Sequence, residues 1–97
     1  MKDILKNINK AFESRIRLGI MSMLVVNEKV DFITFKEQLD LSDGNLASHL
    51  KTLEKMEFIT VEKSFIGRKP NTAFLITEIG KIAFHEHLKA LERIING

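Results

Sequence analysis

The sequence predicts an α+β fold that is mostly helical, and three observations support this fold class. Apolar residues recur at helical spacing near both ends of the 97-residue chain. Two short helical segments in the middle are separated by only a few residues. Further along, two β-prone segments flank a cluster of Gly, Pro and Asn, which indicates an antiparallel hairpin. With 44% hydrophobic and 29% charged residues, the composition is that of one globular domain spanning residues 1–97.

Several classes of protein are excluded by what the sequence lacks. It contains no cysteine, which excludes disulfides, thiol nucleophiles and Cys-ligated zinc. His85 and His87 are two residues apart and fall on opposite sides of a helix, so they cannot chelate one metal ion. There is no phosphate-binding glycine loop and no nucleophile paired with a base. We therefore expect no enzyme activity, no metal and no cofactor.

The sequence also predicts no membrane segment. Its longest apolar stretch, 20–26, contains a serine and is far too short to span a bilayer. Charged residues occupy the first positions, where a signal peptide would need an apolar run. We therefore expect a cytoplasmic protein that does not bind membranes.

The first half of the chain predicts three helices and a short β-prone segment. One apolar stripe predicts a first helix, and Ser14 can cap a second, buried helix that runs to about Val26. After the β-prone residues 30–33, Thr34 at the N-cap and Glu37 at N3 match a capping box that opens a third helix through Leu39. The stripe of the first helix comprises Ile4, Leu5, Ile8, Ala11 and Phe12.

The next helix begins at Ser42 or Asp43 and runs to about residue 57. Leu46, Leu50 and Leu53 follow i, i+4, i+7 spacing and form its core face. The opposite face and its flank are polar and carry Asn45, Ser48, His49, Lys51, Thr52 and Lys55.

The last third of the chain predicts strands over 58–63 and 72–77, joined by a turn cluster over 65–71. Thr77 can cap a final helix over 78–95. Two short helices joined by a tight turn and followed by a hairpin form a winged helix-turn-helix. In that arrangement the recognition helix spans about 43–57, the two- to three-stranded antiparallel wing about 58–77 and the terminal helix about 78–95.

Two segments resemble a known group of proteins. Residues 41–54 (LSDGNLASHLKTLE) are similar to the recognition-helix region of small winged-helix transcriptional regulators, and 67–80 (GRKPNTAFLITEIG) to their wing and the junction after it. The nearest types are the multiple-antibiotic-resistance (MarR) and arsenical-resistance (ArsR) regulators. Ala47 departs from this pattern where serine is common, and Ile79 where lysine is common. The resemblance implies a DNA-binding regulator.

The residues expected to contact double-stranded DNA lie on the recognition helix and the wing. A net charge of +2 is modest, so the argument depends on local distribution, and 63–69 holds three basic residues and no acid. Gly44 allows close approach to a phosphate, short polar side chains suit base edges, and lysines suit phosphates. A solvated helix face and a solvated hairpin tip are the competing interpretations. The candidates are Gly44, Asn45, Ser48, His49, Lys51, Thr52, Lys55, Lys63, Arg68 and Lys69.

The terminal helices predict a homodimer. On the last helix, Phe84, Leu88, Leu91 and Ile95 follow 4, 3, 4 spacing, the seam that a partner helix would fill, and Ile4, Ile8 and Phe12 also need cover. The alternative is that the N-terminal helix of the same chain covers this seam. The sequence thus favours a homodimeric, sequence-specific DNA-binding regulator. Its rival is a winged-helix module for protein contacts, and the sequence leaves a small-molecule effector unknown.

Overall fold

The computed structural model describes residues 6–97, and it has the predicted α+β architecture. A short 3₁₀ helix, Lys10–Phe12, precedes four α-helices and three strands. In chain order these are α1 (Arg15–Val26), β1 (Val30–Asp31), α2 (Phe32–Leu39), α3 (Asp43–Lys55), β2 (Ile59–Ile66), β3 (Lys69–Ile76) and α4 (Glu78–Asn96). The strands form one antiparallel sheet of order β1-β3-β2. Over this range no helix is long and apolar enough to cross a membrane.

Three of the four α-helices begin at the predicted caps. The hydroxyls of Ser14, Ser42 and Thr77 each accept the backbone N–H three residues further on. The prediction for α2 was wrong, because Asp31 and not Thr34 is its N-cap. The Asp31 carboxylate accepts the Thr34 N–H at 2.8 Å, so the helix starts two residues before Thr34. Asp31 pairs with Ala73 in the sheet, and this tertiary contact fixes where the strand gives way to the helix.

The hairpin is longer than predicted, since both strands continue through most of the turn cluster. Phe65 pairs with Pro70 and Ile66 with Lys69, which leaves only Gly67 and Arg68 in the loop. Gly67 has φ 64°, a value that suits glycine at the first position of a two-residue turn. Pro70 is tolerated within the strand because β1 covers β3 only at residues 73 and 74.

The N-terminal segment packs into the core, although residues 6–9 are not helical and the predicted first helix is wrong there. Phe12 is buried, with its ring 5.4 Å from Phe58 and 5.3 Å from Phe84, the latter edge to face. His87 adds a third ring at 5.2 Å from Phe12. Phe12 and Phe84 therefore fill the core of their own chain, which corrects their assignment to a dimer contact. For this part of the seam the alternative interpretation applies, because the N-terminal segment of the same chain covers Phe84.

Candidate nucleic-acid interface

The turn between α2 and α3 is short and closed by local hydrogen bonds. Asp40 ends α2 in the left-handed region with φ 53°, and the Leu41 N–H donates to the Lys36 carbonyl at 3.1 Å. The Lys36 ammonium also reaches the Asp43 carboxylate at 2.8 Å across the turn. Both side chains of this ion pair are exposed, so it contributes little stability. The turn brings the first residues of α3 to the surface.

One face of α3 is anchored in the core and the other is presented to solvent. Leu46, Leu50 and Leu53 are buried as predicted. Most of the predicted DNA contacts on this helix are exposed, namely Gly44, Asn45, Ser48, Lys51 and Lys55. Thr52 is half-buried, and its hydroxyl donates to the Ser48 carbonyl at 3.1 Å. Its oxygen keeps lone pairs with which it can accept a hydrogen bond.

Gly44 occupies open space in the first turn of α3. A Cβ built there would have no atom within 4 Å, and the residue does not have a positive φ. Neither packing nor backbone conformation therefore requires glycine at this position. Alanine would favour the helix more, and the open space leaves room for an external group to approach the first turn.

His49 is less accessible than predicted because Arg17 of α1 holds its ring. The Arg17 guanidinium lies 3.0 Å from His49 Nδ1, and the same side chain donates from Nε to the Ala11 carbonyl. Burial, followed by the Arg17 charge, lowers the pKa of His49. A neutral ring that accepts from Arg17 at Nδ1 carries its proton on Nε2. Sequence reasoning missed Arg17, because its contact with His49 spans 32 residues and no local pattern marks it.

The wing presents the predicted cations at and near its tip. Lys63, Arg68 and Lys69 are all exposed, with Arg68 in the loop itself. Glu62, the acid that precedes Lys63, forms an ion pair with Lys29 at 2.9 Å. From Lys63 to Thr77 the chain has no acidic residue, so the outer hairpin is positively charged.

The end of α3, the base of the wing and the start of α4 meet at Phe58. The Phe58 N–H donates to the Leu53 carbonyl of α3, and its own carbonyl accepts the Thr77 N–H, each at 3.0 Å. The Thr77 hydroxyl donates to the Glu57 carbonyl at 2.6 Å. Gly80 permits this approach, because a Cβ there would lie 2.1 Å from the Phe58 carbonyl oxygen. The recognition helix, wing and terminal helix are thus joined at one point.

The terminal helix exposes apolar side chains on the surface away from the core. Leu88 is 43% exposed and Ile95 80%, and Leu91 and Ile8 are half-buried. Leu88 borders a shallow, mainly apolar groove whose other walls include Val25 and Ile82. Ile4, the remaining predicted dimer residue, lies outside the described residues. Within 6–97, no three His, Asp or Glu side chains lie close enough to hold a metal ion.

Comparison with known proteins identifies the family. The sequence profile of the winged helix DNA-binding domain matches residues 16–95. An uncharacterised protein of Methanocaldococcus jannaschii is 39% identical over 79 residues, which is 81% of this chain and 86% of that protein.

Two solved structures extend the comparison. A transcriptional regulator homologue from Pyrococcus horikoshii superposes with a TM-score of 0.87 and 33% identity, over 99% of this chain and 93% of that one. Bacillus subtilis PadR, solved in complex with operator DNA, has a TM-score of 0.68 at 18% identity, over 77% of this chain and 48% of that one, a likeness of fold alone. The family profile and the Pyrococcus horikoshii homologue support a DNA-binding regulator, and the chain belongs to the winged helix DNA-binding domain family.

Proposed function

We propose that this protein is a sequence-specific DNA-binding transcriptional regulator of the MarR/ArsR-like kind that acts as a homodimer. In this proposal α3 enters the major groove, and the basic wing lies on the adjacent minor groove or its phosphates. The observation that carries it is the exposed polar face of α3 beside a hairpin whose outer part bears three cations and no acid. The relative from Pyrococcus horikoshii described as a transcriptional regulator homologue, and PadR with its operator, lend support.

The recognition helix supplies the contacts that read sequence. Asn45 and Ser48, near its N-terminus, face base edges, where an amide or a hydroxyl can pair with donors and acceptors in the major groove. The open space at Gly44 admits a DNA phosphate to the first N–H groups of α3, other than that of Asn45, which donates to the Ser42 hydroxyl. Lys51 and Lys55, further along the helix, meet phosphates.

The second copy of the chain completes the site. A single helix and wing cover about one half-site and neutralise few phosphates, so a regulator of this size needs two modules for useful affinity. The exposed Leu88 and Ile95, the half-buried Leu91 and the apolar groove at Val25 and Ile82 favour a partner on the terminal helix. A twofold dimer also predicts an operator with two inverted half-sites.

The experiment that tests DNA binding is a salt titration with duplexes recovered by selection from random-sequence DNA. The unmodified protein should bind with an affinity that falls as salt rises. Replacing Arg68 and Lys69 with alanine should weaken binding to every duplex. It should also reduce the slope of log affinity against log salt by about 0.9 for each phosphate that is no longer neutralised. Folding should be unchanged, because both side chains are exposed.

A matched control removes the same charge elsewhere. Lys10→Ala with Lys89→Ala deletes two exposed cations outside α3, the wing and the groove at Val25 and Ile82, and the salt slope should stay as it was. If the two double variants have the same slope of log affinity against log salt, the wing does not contact DNA phosphates. If the unmodified protein selects no duplex at all, the protein-contact module becomes the better account.

A further inference from the structure

The tip of the wing carries two large apolar residues that the fold does not cover. Phe65 is 73% exposed and Ile66 is 66% exposed, directly before the Gly67–Arg68 loop. Large apolar side chains at a hairpin tip add nothing to the core and favour association with other surfaces. A purely electrostatic wing would need only its cations. The apolar pair therefore calls for a separate explanation.

Strand alternation places a basic residue near each apolar one. Phe65 lies on the same face of the hairpin as Lys63 and opposite Pro70 in the register, while Ile66 is paired with Lys69 on the other face. Arg68 occupies the loop between them. Each face of the tip thus presents one apolar side chain near a cation, which suits a negatively charged partner with an apolar interior.

We propose that Phe65 is an apolar wedge that enters the DNA minor groove beneath the wing and partly unstacks one base step. This inference rests on the proposed DNA-binding function and extends it. Side chains such as Phe and Ile serve this purpose when a flanking positive charge holds the backbone of the duplex. Phe65 is the candidate in preference to Ile66, because Ile66 borders a groove shared with α1 and α2, including Met23 and Thr34. The planar ring of Phe65 can also stack on an exposed base face.

The tight tip of the hairpin suits this role. With only Gly67 and Arg68 in the loop, the hairpin ends in a single turn that can approach the edge of the B-DNA minor groove. The two-residue loop leaves Phe65 as the last residue of β2 on its face of the hairpin. A wedge at this point predicts a bend in the DNA and a preference for easily unstacked TA or CA/TG steps under the wing.

The test uses the full chain and a duplex recovered by the selection described above. Permanganate, which oxidises unstacked thymines, is applied to the free duplex and to the complexes of the wild type, Phe65→Ala and Phe65→Leu. The wild type should create a hyper-reactive position under the wing, and Phe65→Ala should abolish it and weaken binding about tenfold. Phe65→Leu should retain much of both effects. Ser64→Ala, an exposed change on the same strand, should behave like the wild type.

Several outcomes would overturn the wedge, and they differ from failure of DNA binding itself. If the wild type binds the duplex without hyper-reactive thymines, or if Phe65→Ala keeps them, Phe65 is not a wedge. The wing would then contact only phosphates. A Phe65→Ala variant that loses self-association in the absence of DNA places the tip in a protein interface instead. A wild type that binds no duplex refutes the proposed function, and the wedge with it.

Discussion

The recognition helix and the terminal helix are both amphipathic, yet their exposed faces differ in kind. On α3 the exposed residues include Asn45, Ser48, Lys51 and Lys55, which are polar or charged. On α4 they include Ile79, Ile82, Leu88 and Ile95, along with charged neighbours. The polar face of α3 suits a hydrated polyanion. The face of α4 keeps apolar surface exposed, which does not stabilise a monomer. This contrast is what the proposed function requires, with a polar face for DNA and an apolar face for a second chain.

The two helices are nevertheless parts of one mechanical unit. The backbone of Phe58 is bonded to α3 through Leu53 and to the start of α4 through Thr77. Gly80 allows the two chain segments to touch. Because this connection is built from backbone hydrogen bonds, the orientation of α4 would determine where the proposed dimer holds each copy of α3. Changes to either face should therefore affect DNA binding, but by different routes.

The largest effect should come from breaking the apolar face of α4. Leu88→Glu with Leu91→Glu places like charges at a twofold contact, where an unpaired buried charge costs about 3–5 kcal/mol. The dimer should dissociate, and binding to an inverted repeat should lose its advantage over a single half-site. Sedimentation at micromolar concentration beside circular dichroism measures both assembly and folding. A wild type that already sediments at 11.1 kDa would contradict the dimer.

The next effect tests the contrast between the two sides of α3. Leu50 is buried and Ser48 is exposed on the same helix. Leu50→Ala should reduce the free energy of unfolding by about 2–5 kcal/mol through a core cavity, whereas Ser48→Ala should change it by less than about 0.5 kcal/mol. Urea denaturation measures both values. Ser48→Ala should instead relax discrimination at one base pair of the selected duplex.

A smaller effect concerns pH, through the histidine that α4 buries against the N-terminal segment. His87 Nδ1 accepts the Asn9 N–H at 3.2 Å, and burial lowers the pKa of His87 from its ordinary 6.5, with Glu13 acting in the opposite sense. The unfolded chain therefore binds more protons than the folded one as pH falls below about 6.5, and stability should decline there. Urea midpoints between pH 8 and 5 measure this decline.

Glutamine substitutions at three histidines assign the pH dependence. His87→Gln should make the profile less steep, and His85→Gln, an exposed change two residues away, should leave it intact. Because burial and Arg17 also lower the pKa of His49, part of the slope should remain in His87→Gln and disappear when His49→Gln is added. A His87→Gln profile as steep as that of the wild type would show that His87 does not contribute.

How much the sequence could predict depended on whether the signal was local. Ser14, Ser42 and Thr77 are recognisable as caps because the side chain and the N–H it binds lie three residues apart. For α2, both Asp31 and Thr34 are capping residues, and only the pairing of Asp31 with Ala73, 42 positions away, distinguishes them. The same limit explains why the sequence predicts a turn, and not a strand, at Pro70.

The candidate site divides in the same way. Exposure of the polar face of α3 follows from helical spacing against three leucines, so Asn45 and Ser48 could be predicted to face solvent. The contact of Arg17 with His49, and the burial of Phe12 against Phe84, depend on how distant segments pack. An apolar stripe predicts that a residue needs cover, but it does not say whether the cover comes from its own chain or a partner.

The smallest expected effect, and the sharpest test of the DNA face, concerns the two glycines at the starts of α3 and α4. Gly44→Ala meets no atom within 4 Å, so it should stabilise the fold by up to about 1 kcal/mol through helix propensity. Gly80→Ala would instead collide with the Phe58 carbonyl and should destabilise it by about 1–3 kcal/mol. If a phosphate approaches the first turn of α3, Gly44→Ala should weaken DNA binding while raising stability, a combination that no loss of folding can produce. Thermal unfolding and duplex titration of the same preparation measure the two effects. Unchanged affinity in the stabilised variant would mean that DNA does not approach α3 at Gly44.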